Sequence, residues 1–367
     1  MINVTRSELP ALDEYVSYLT GIWKTHWLTN NGELVQELER RLADYLRVKN
    51  LAVVANGTLA LQLAFKALKL TGEVITTPFT FAATTNALLW EGLQPVFADI
   101  DPETYNIAAP DVEAVITPRT SAILAVHVYG NPCDVDALQD VAARHGLPII
   151  YDAAHAFGVE YQGKSVLEYG DISTMSFHAT KVFQTIEGGA VITQTPEMLR
   201  DVELLRNFGI VSEEDVVAPG INAKMNEFEA AMGLCNLDRV NDERSRRKSI
   251  YEKYKMALSS IPGVQFQRLV ASQYNYAYMP VRFSSAKVRD AVYDGLIVAG
   301  VKSRKYFCPL TTQFEYWRSR GGSRAGNVER AEAVAETILC LPIYSELAFQ
   351  DVEHIADVTC KEAYACS

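Results

Sequence analysis

The chain has few of the features that mark specialised protein classes. Its six cysteines, Cys133, Cys235, Cys308, Cys340, Cys360 and Cys366, form no CxxC pair and no zinc-type pattern with histidine, so neither a disulfide framework nor a metal site is expected. Free thiols in a reducing cytoplasm follow from that. No stretch reaches the roughly 18 continuous apolar residues of a membrane span, and Met1–Tyr18 carries acidic residues where a signal peptide would be apolar. The expected location is therefore cytoplasmic, away from the membrane. Basic charge is also scarce: 34 Lys and Arg stand against 45 Asp and Glu, a net charge of -11 that disfavours nucleic acid and anionic membrane as partners. Internal repeats, low-complexity segments, a GxxxxGK[ST] P-loop and a GxGxxG dinucleotide turn are all missing.

What is present is an ordinary globular composition, 49% hydrophobic and 22% charged, over 367 residues. That length suits two domains and buries about three quarters of the chain's surface without covalent staples. Charge is uneven along it. Residues 1–240 hold 16 basic and 31 acidic side chains, whereas residues 241–367 hold 18 and 14. Solvated helix faces explain such a split, and so does a second part that meets a small anion.

From Leu51 to Thr193, short β-rich apolar runs alternate with helix-like segments, the pattern of a mainly parallel sheet with helices packed on it. Seven strands are predicted: Leu51–Val54, Glu73–Thr76, Pro95–Ala98, Ala122–Val126, Pro148–Tyr151, Thr174–Phe177 and Ala190–Thr193. Helical spacing marks Thr58–Leu68 and Thr80–Trp90, and Val135–His145 reads as a helix closed by Gly146. Residues 1–240 thus read as a large α/β domain. The charged run Asn241–Lys255 reads most plainly as an exposed connecting helix, and residues 241–367 then form a smaller α+β domain. In that second part, Ala277–Phe283 is strand-like and Ser285–Ala299 and Asn327–Leu339 are helix-like.

Ligands of an α/β sheet bind beyond the carboxyl ends of its strands, and chemically useful residues recur there. Asn56-Gly57-Thr58 follows the first strand and opens a helix, a place for a phosphate or simply a turn and cap. Asp152 ends an almost wholly apolar strand, and a buried carboxylate requires a partner. Lys181 lies in the loop Ser176-Phe177-His178-Ala179-Thr180-Lys181, between two core strands, where a surface lysine would be the ordinary reading.

Taken together, a glycine-threonine turn, a strand-end aspartate and a loop lysine about thirty residues later form a set that pyridoxal phosphate needs. Their order resembles the fold-type I aminotransferases, specifically the DegT/DnrJ/EryC1/StrS family of sugar-nucleotide aminotransferases. The resemblance extends through Thr77-Pro78-Phe79-Thr80-Phe81, Phe97-Ala98-Asp99-Ile100-Asp101-Pro102, Val126-His127-Val128-Tyr129-Gly130 and Leu341-Pro342-Ile343-Tyr344. It implies pyridoxal phosphate as cofactor, with pyridoxamine phosphate as its amino form. Lys181 would bind the cofactor covalently and move protons, and Asp152 would pair with the ring nitrogen. By the same resemblance Gly57, Thr58 and Ser176 would hold the phosphate, Phe81 would stack on the ring, and His155 would face the ring hydroxyl. Asn222 would reach the cofactor phosphate of a neighbouring subunit, which implies a homodimer with shared sites. Lys224 and Ala179 stand where relatives commonly have Arg and Pro, and Lys181 is retained where dehydrating relatives carry histidine.

The segment Gly21–Gly32 and the run His178–Phe183 are similar to members that aminate dTDP-4-keto-6-deoxyglucose at C4, giving viosamine for surface polysaccharides such as lipopolysaccharide O-antigen. L-glutamate would be the amino donor. Trp27, Thr29, Arg304 and Tyr306 would contact substrate, although Trp27 also reads as core and Arg304 as part of a solvated face. Amination at C3, a nicotinamide-linked sugar oxidoreductase and a non-catalytic regulatory relative remain as alternatives.

Overall fold

The computed structural model describes residues 1–319 and 326–366. Its centre is a seven-stranded sheet built from β1 (Asn50–Val54), β2 (Glu73–Thr76), β3 (Gln94–Phe97), β4 (Thr120–Val126), β5 (Ile149–Asp152), β8 (Ile172–Ser176) and β9 (Gly189–Thr193). A short hairpin, β6 (Glu160–Tyr161) and β7 (Lys164–Ser165), lies between β5 and β8. All seven predicted strands are members of the sheet. Their spatial order is β1-β9-β8-β5-β4-β2-β3, and only β9 runs against the others.

The apolar runs are continuous because both faces of the sheet are covered. Ile150, Leu124 and Val74 pack into one layer, whereas Ile149, Tyr151, Ile123 and Ile75 pack into the other. Alternate residues along each strand thus serve opposite cores. Local signals set the helix ends. The Asn56 side chain caps the helix Gly57–Ala67 by accepting from the Leu59 amide at 2.9 Å, and Gly146, at φ 65°, closes the helix Val135–His145.

The second unit has a three-stranded antiparallel sheet of β10 (Gln265–Phe266), β11 (Met279–Arg282) and β12 (Ile338–Leu341). Its core lies between β11, β12 and the helices Val240–Leu258, Ala286–Val298 and Phe349–Cys366. Two expectations change here. The helix predicted over Asn327–Leu339 is Glu329–Thr337, and the chain then turns into β12, whose four residues are all buried against β11. Periodicity could not separate that helix from the apolar strand that continues it. The charged run does form a helix, Val240–Leu258, yet it is not wholly exposed: Ile250, Tyr251, Tyr254, Leu258, Glu243 and Arg247 are buried. The first residues of the chain lie against the second unit, since Ile2 bridges Val301 and the Ile343 amide donates to the Val4 carbonyl at 3.1 Å.

Candidate active site

The carboxyl ends of β1, β4, β5 and β8 open into one cavity of about 350 Å³. Gly57 and Thr58 reach it from the start of the helix after β1, where a helix dipole and free amides favour an anion. Ser176 enters from the end of β8. Gly57 must be glycine, because a Cβ there would lie 2.8 Å from the Ser176 Cβ. Asp152, at the end of β5, lines the floor and Phe81 the rim.

Lys181 sits in the loop that joins β8 to its antiparallel neighbour β9, so the chain must reverse within the twelve residues 177–188. Backbone bonds brace that reversal: the amides of Phe177, Ala179 and Lys181 donate to Gly188, Ile186 and His178, each at 2.8 Å. Phe183 stacks on Phe157, centroids 4.5 Å apart and rings 12° from parallel, which ties the loop to the turn after β5. The Lys181 side chain is only partly accessible, and burial pushes its pKa from 10.5 down to about 8 against the pull of Asp152. At pH 7 about one such amine in ten is neutral, compared with about one in 2,500 for a free lysine.

Asp152 is buried. Desolvation raises its pKa, while a hydrogen bond from the Thr84 hydroxyl to Oδ2 at 2.8 Å, another from the Ala154 amide to Oδ1 at 3.1 Å, and the Lys181 charge all oppose the rise. His155 is also buried, and burial holds it neutral. Its Nδ1 accepts from the Tyr129 amide at 3.2 Å, which leaves the proton on Nε2 as a donor. Phe307 stacks parallel to the imidazole at 6.1 Å and Tyr278 lies tilted 4.8 Å away, both on the cavity wall.

Of the twelve residues singled out from sequence, Gly57, Thr58, Phe81, Asp152, His155, Ser176, Lys181, Arg304 and Tyr306 line this cavity. Arg304 lies over the Tyr306 ring at 4.9 Å. Trp27, Thr29 and Asn222 do not line it and are exposed; the segment of Trp27 and Thr29 is tied to the start of the helix Glu227–Leu237, where the Glu227 amide donates to the Leu28 carbonyl at 3.0 Å. Sequence reasoning missed Thr80, Thr84, Tyr278, His178, Thr180 and Glu187, which also line the site. Thr80 and Thr84 had a usable signal, hydroxyls four residues apart just beyond a strand end. Tyr278 had none, because nothing in the strand-like run Ala277–Phe283 sets it apart.

The profile of the DegT/DnrJ/EryC1/StrS aminotransferase family matches residues 12–359. The chain belongs to that family. It is 43% identical over 353 residues to the dTDP-4-amino-4,6-dideoxy-D-glucose transaminase of Escherichia coli, covering 94% of each chain. It is 41% identical over 357 residues to the enzyme of the same name from Shigella dysenteriae, covering 96% of this chain and 97% of the relative. A crystal structure of DesI in the presence of its TDP-sugar product superposes with a TM-score of 0.92 at 37% identity, covering 99% of this chain and 93% of that one. This aminotransferase chain therefore shares both sequence and architecture with its relatives over nearly its full length. Among the described residues no group of His, Cys, Asp or Glu could hold a metal ion, and no helix is long and apolar enough to cross a membrane.

Proposed function

We propose that the protein is a pyridoxal-phosphate-dependent aminotransferase that moves the amino group of L-glutamate to C4 of dTDP-4-keto-6-deoxy-D-glucose. The observation that carries this reading is the meeting of Lys181, Asp152 and the Gly57–Ser176 cradle in one cavity beyond the sheet. The residues fit that cofactor: a glycine turn at a helix start for the phosphate, a buried carboxylate for a cationic ring nitrogen, and an amine of lowered basicity. Pyridoxal phosphate, when bound, supplies an electron sink for the carbon that gains or loses nitrogen.

Lys181 would hold the cofactor, and its amine, when free, would accept and return a proton at Nζ. Its lowered pKa suits that work near neutral pH. Asp152 would hold a positive ring nitrogen; in general two opposite charges ~4 Å apart at an effective dielectric of about 20 attract by roughly 4 kcal/mol before desolvation. His155, with its proton on Nε2, would hold the ring hydroxyl, and Phe81 would pack against the ring. Gly57, Thr58 and Ser176 would hold the phosphate. Arg304 and Tyr306 bind the phosphorylated or carboxylate end of a substrate.

The dTDP-sugar choice rests on the two relatives above 40% identity and on the TDP-sugar neighbour. A homodimer is part of the reading. Trp27, Thr29 and Asn222, exposed and outside their own cavity, then serve the partner's site, Asn222 reaching its phosphate. A cytoplasmic enzyme feeding O-antigen or another surface polysaccharide is the matching context. The test offers glutamate with 3-keto and 4-keto sugars linked to dTDP or UDP and identifies products by NMR. A C4-aminated dTDP sugar with one 2-oxoglutarate per turnover is expected; amination only at C3, only of UDP sugars, or none at all defeats the assignment.

A further inference from the structure

Asp152 is not held alone. Thr84 lies in the first turn of the helix Ala82–Trp90, buried, with its hydroxyl 2.8 Å from Asp152 Oδ2. Thr80, also buried, places its own hydroxyl 2.8 Å from that of Thr84. An ionised carboxylate can only accept, so the Thr84 proton is committed to Asp152 and the Thr84 oxygen must accept from Thr80. The direction of the chain is thereby fixed: Thr80 donates to Thr84, and Thr84 donates to Asp152. Hydroxyls in series polarise one another, which strengthens the last bond in a site of low dielectric. Protonating Asp152 would remove the reason for that order.

The neighbouring residue shows that this use of a threonine is particular. Thr85 is equally buried in the same helix, yet its hydroxyl donates within its own turn, to the Ala82 carbonyl at 3.3 Å. The helix start has no side-chain cap from Phe81, and Thr84 is not spent on repairing it. The charged and titratable groups that face Asp152 are Lys181 and Tyr278, with His155 facing Lys181 in turn. Neither Lys181 nor Tyr278 has a hydrogen bond to the carboxylate among the described contacts, so orientation falls to Thr84 and the Ala154 amide.

We propose that Thr84, backed by Thr80, is a positioning residue that keeps the Asp152 carboxylate anionic and aimed for a cationic ring nitrogen. The inference rests on the reading of this cavity as a pyridoxal phosphate site. In this role Thr84 acts through Asp152.

The experiment compares wild type with Thr84→Val, Thr84→Ser, Thr80→Val and the internal control Thr85→Val. Pyridoxal phosphate affinity is titrated across pH, and the Asp152 carboxyl is titrated in cofactor-free protein by NMR of carbon-13-labelled aspartate, with Asp152→Asn assigning the signal. Thr84→Val is expected to weaken cofactor binding about ten- to a hundredfold, the range of a hydrogen bond to a charged group. It also moves the Asp152 titration and the acid limb of binding to higher pH. Thr84→Ser restores both, Thr80→Val shifts both in the same direction by less, and Thr85→Val leaves the titration where it was. An unshifted carboxyl titration in Thr84→Val, or equal shifts in Thr84→Val and Thr85→Val, overturns the proposal. Failure of wild type to bind pyridoxal phosphate overturns the cofactor reading instead, and the carboxyl titration still decides whether Thr84 sets Asp152.

Discussion

Asp152 and Glu243 are both buried acids whose pKa rises through desolvation, yet their surroundings differ in kind. Glu243, on the helix Val240–Leu258, faces Glu8 and Arg247 in a closed cluster. Arg247 donates to Glu8 Oε1 at 3.2 Å and to the Ile343 carbonyl at 3.1 Å, and the Ser345 amide donates to the same carboxyl oxygen at 2.7 Å. That cluster ties the N-terminal segment, the long helix and the chain after β12 together with the protein's own cation. Asp152 has hydrogen bonds but no arginine, and it opens onto a cavity shared with Lys181. A buried carboxyl matched by its own chain is structural. One that faces a cavity, held by hydroxyl and amide donors alone, is prepared for a cation from outside.

The sharpest way to test this contrast is at the amine. Lys181→Ala is expected to abolish transamination, a loss of at least about 10⁴-fold, the upper end of acid–base contributions, with the melting temperature of the cofactor-free protein nearly unchanged. Wild-type protein loaded with pyridoxal phosphate should absorb visible light, and the variant should not. In wild type the rate of covalent loading should climb about tenfold per pH unit below the amine's pKa of about 8 and level off above it, because only the neutral amine reacts. A flat profile from pH 6 to 9 contradicts the lowered pKa.

A crossed pair of substitutions separates the two acids next. Asp152→Asn should cut turnover by about 10²–10³-fold, consistent with a pair of roughly 4 kcal/mol, and leave cofactor-free stability equal or higher, since it removes a desolvated acid. Arg247→Ala should do the reverse. It strands Glu8 and should cost about 3–5 kcal/mol of stability, read as a lower urea midpoint, while the folded fraction retains cofactor binding. If both variants lost stability and activity in proportion, the distinction between the clusters would collapse. A smaller effect is expected at Arg304→Ala, which should raise KM by about tenfold and leave kcat within about threefold, the pattern of lost substrate binding without lost chemistry.

Much of this contrast was legible before any coordinates. Asp152 and Lys181 stood out because a charge at the end of an apolar strand, or between two of them, conflicts with its surroundings, and strand ends are where α/β sheets bind ligands. The seven strands were legible for a related reason: β2, β4 and β5 are buried on both faces, so their runs are unbroken. Glu8, Glu243 and Arg247 were illegible. They sit among other charges in the sequence, and only the tertiary fold shows that three of those charges turn inward from segments more than two hundred residues apart. Tyr278 was hidden in the same way. Trp27, Thr29 and Asn222 mark a further limit: they lie outside the cavity, and the proposed homodimer, in which they would complete a second copy's site, is not something one chain spells out. The helix–strand junction at Ile338 was missed because a four-residue apolar strand directly after a helix extends the helix's own pattern.

The finest test concerns the proton in the closed cluster. Glu8 Oε2 and Glu243 Oε1 are buried without other partners among the described residues, and their carboxyls face each other, so one proton between them satisfies both oxygens. Burial first, then the Glu8 charge, pushes Glu243 from 4.5 up to about 8, while Arg247 and the Ser345 amide outweigh burial at Glu8 and hold it low. A raised folded-state pKa means the folded protein keeps a proton that the unfolded chain releases. Stability from Glu243 is therefore complete below about pH 4.5 and drains away as pH rises to about 8. Glu243→Gln mimics the protonated form at every pH. It should change stability by under about 1 kcal/mol at pH 5, where wild type is largely protonated too, and flatten the decline of urea midpoint between pH 5 and 8. Loading of Lys181, titrated over the same range, should keep its wild-type profile, because the two clusters answer to different protons. A wild-type midpoint that does not fall over that range, or a Glu243→Gln variant that falls as steeply, would remove the shared proton from the account.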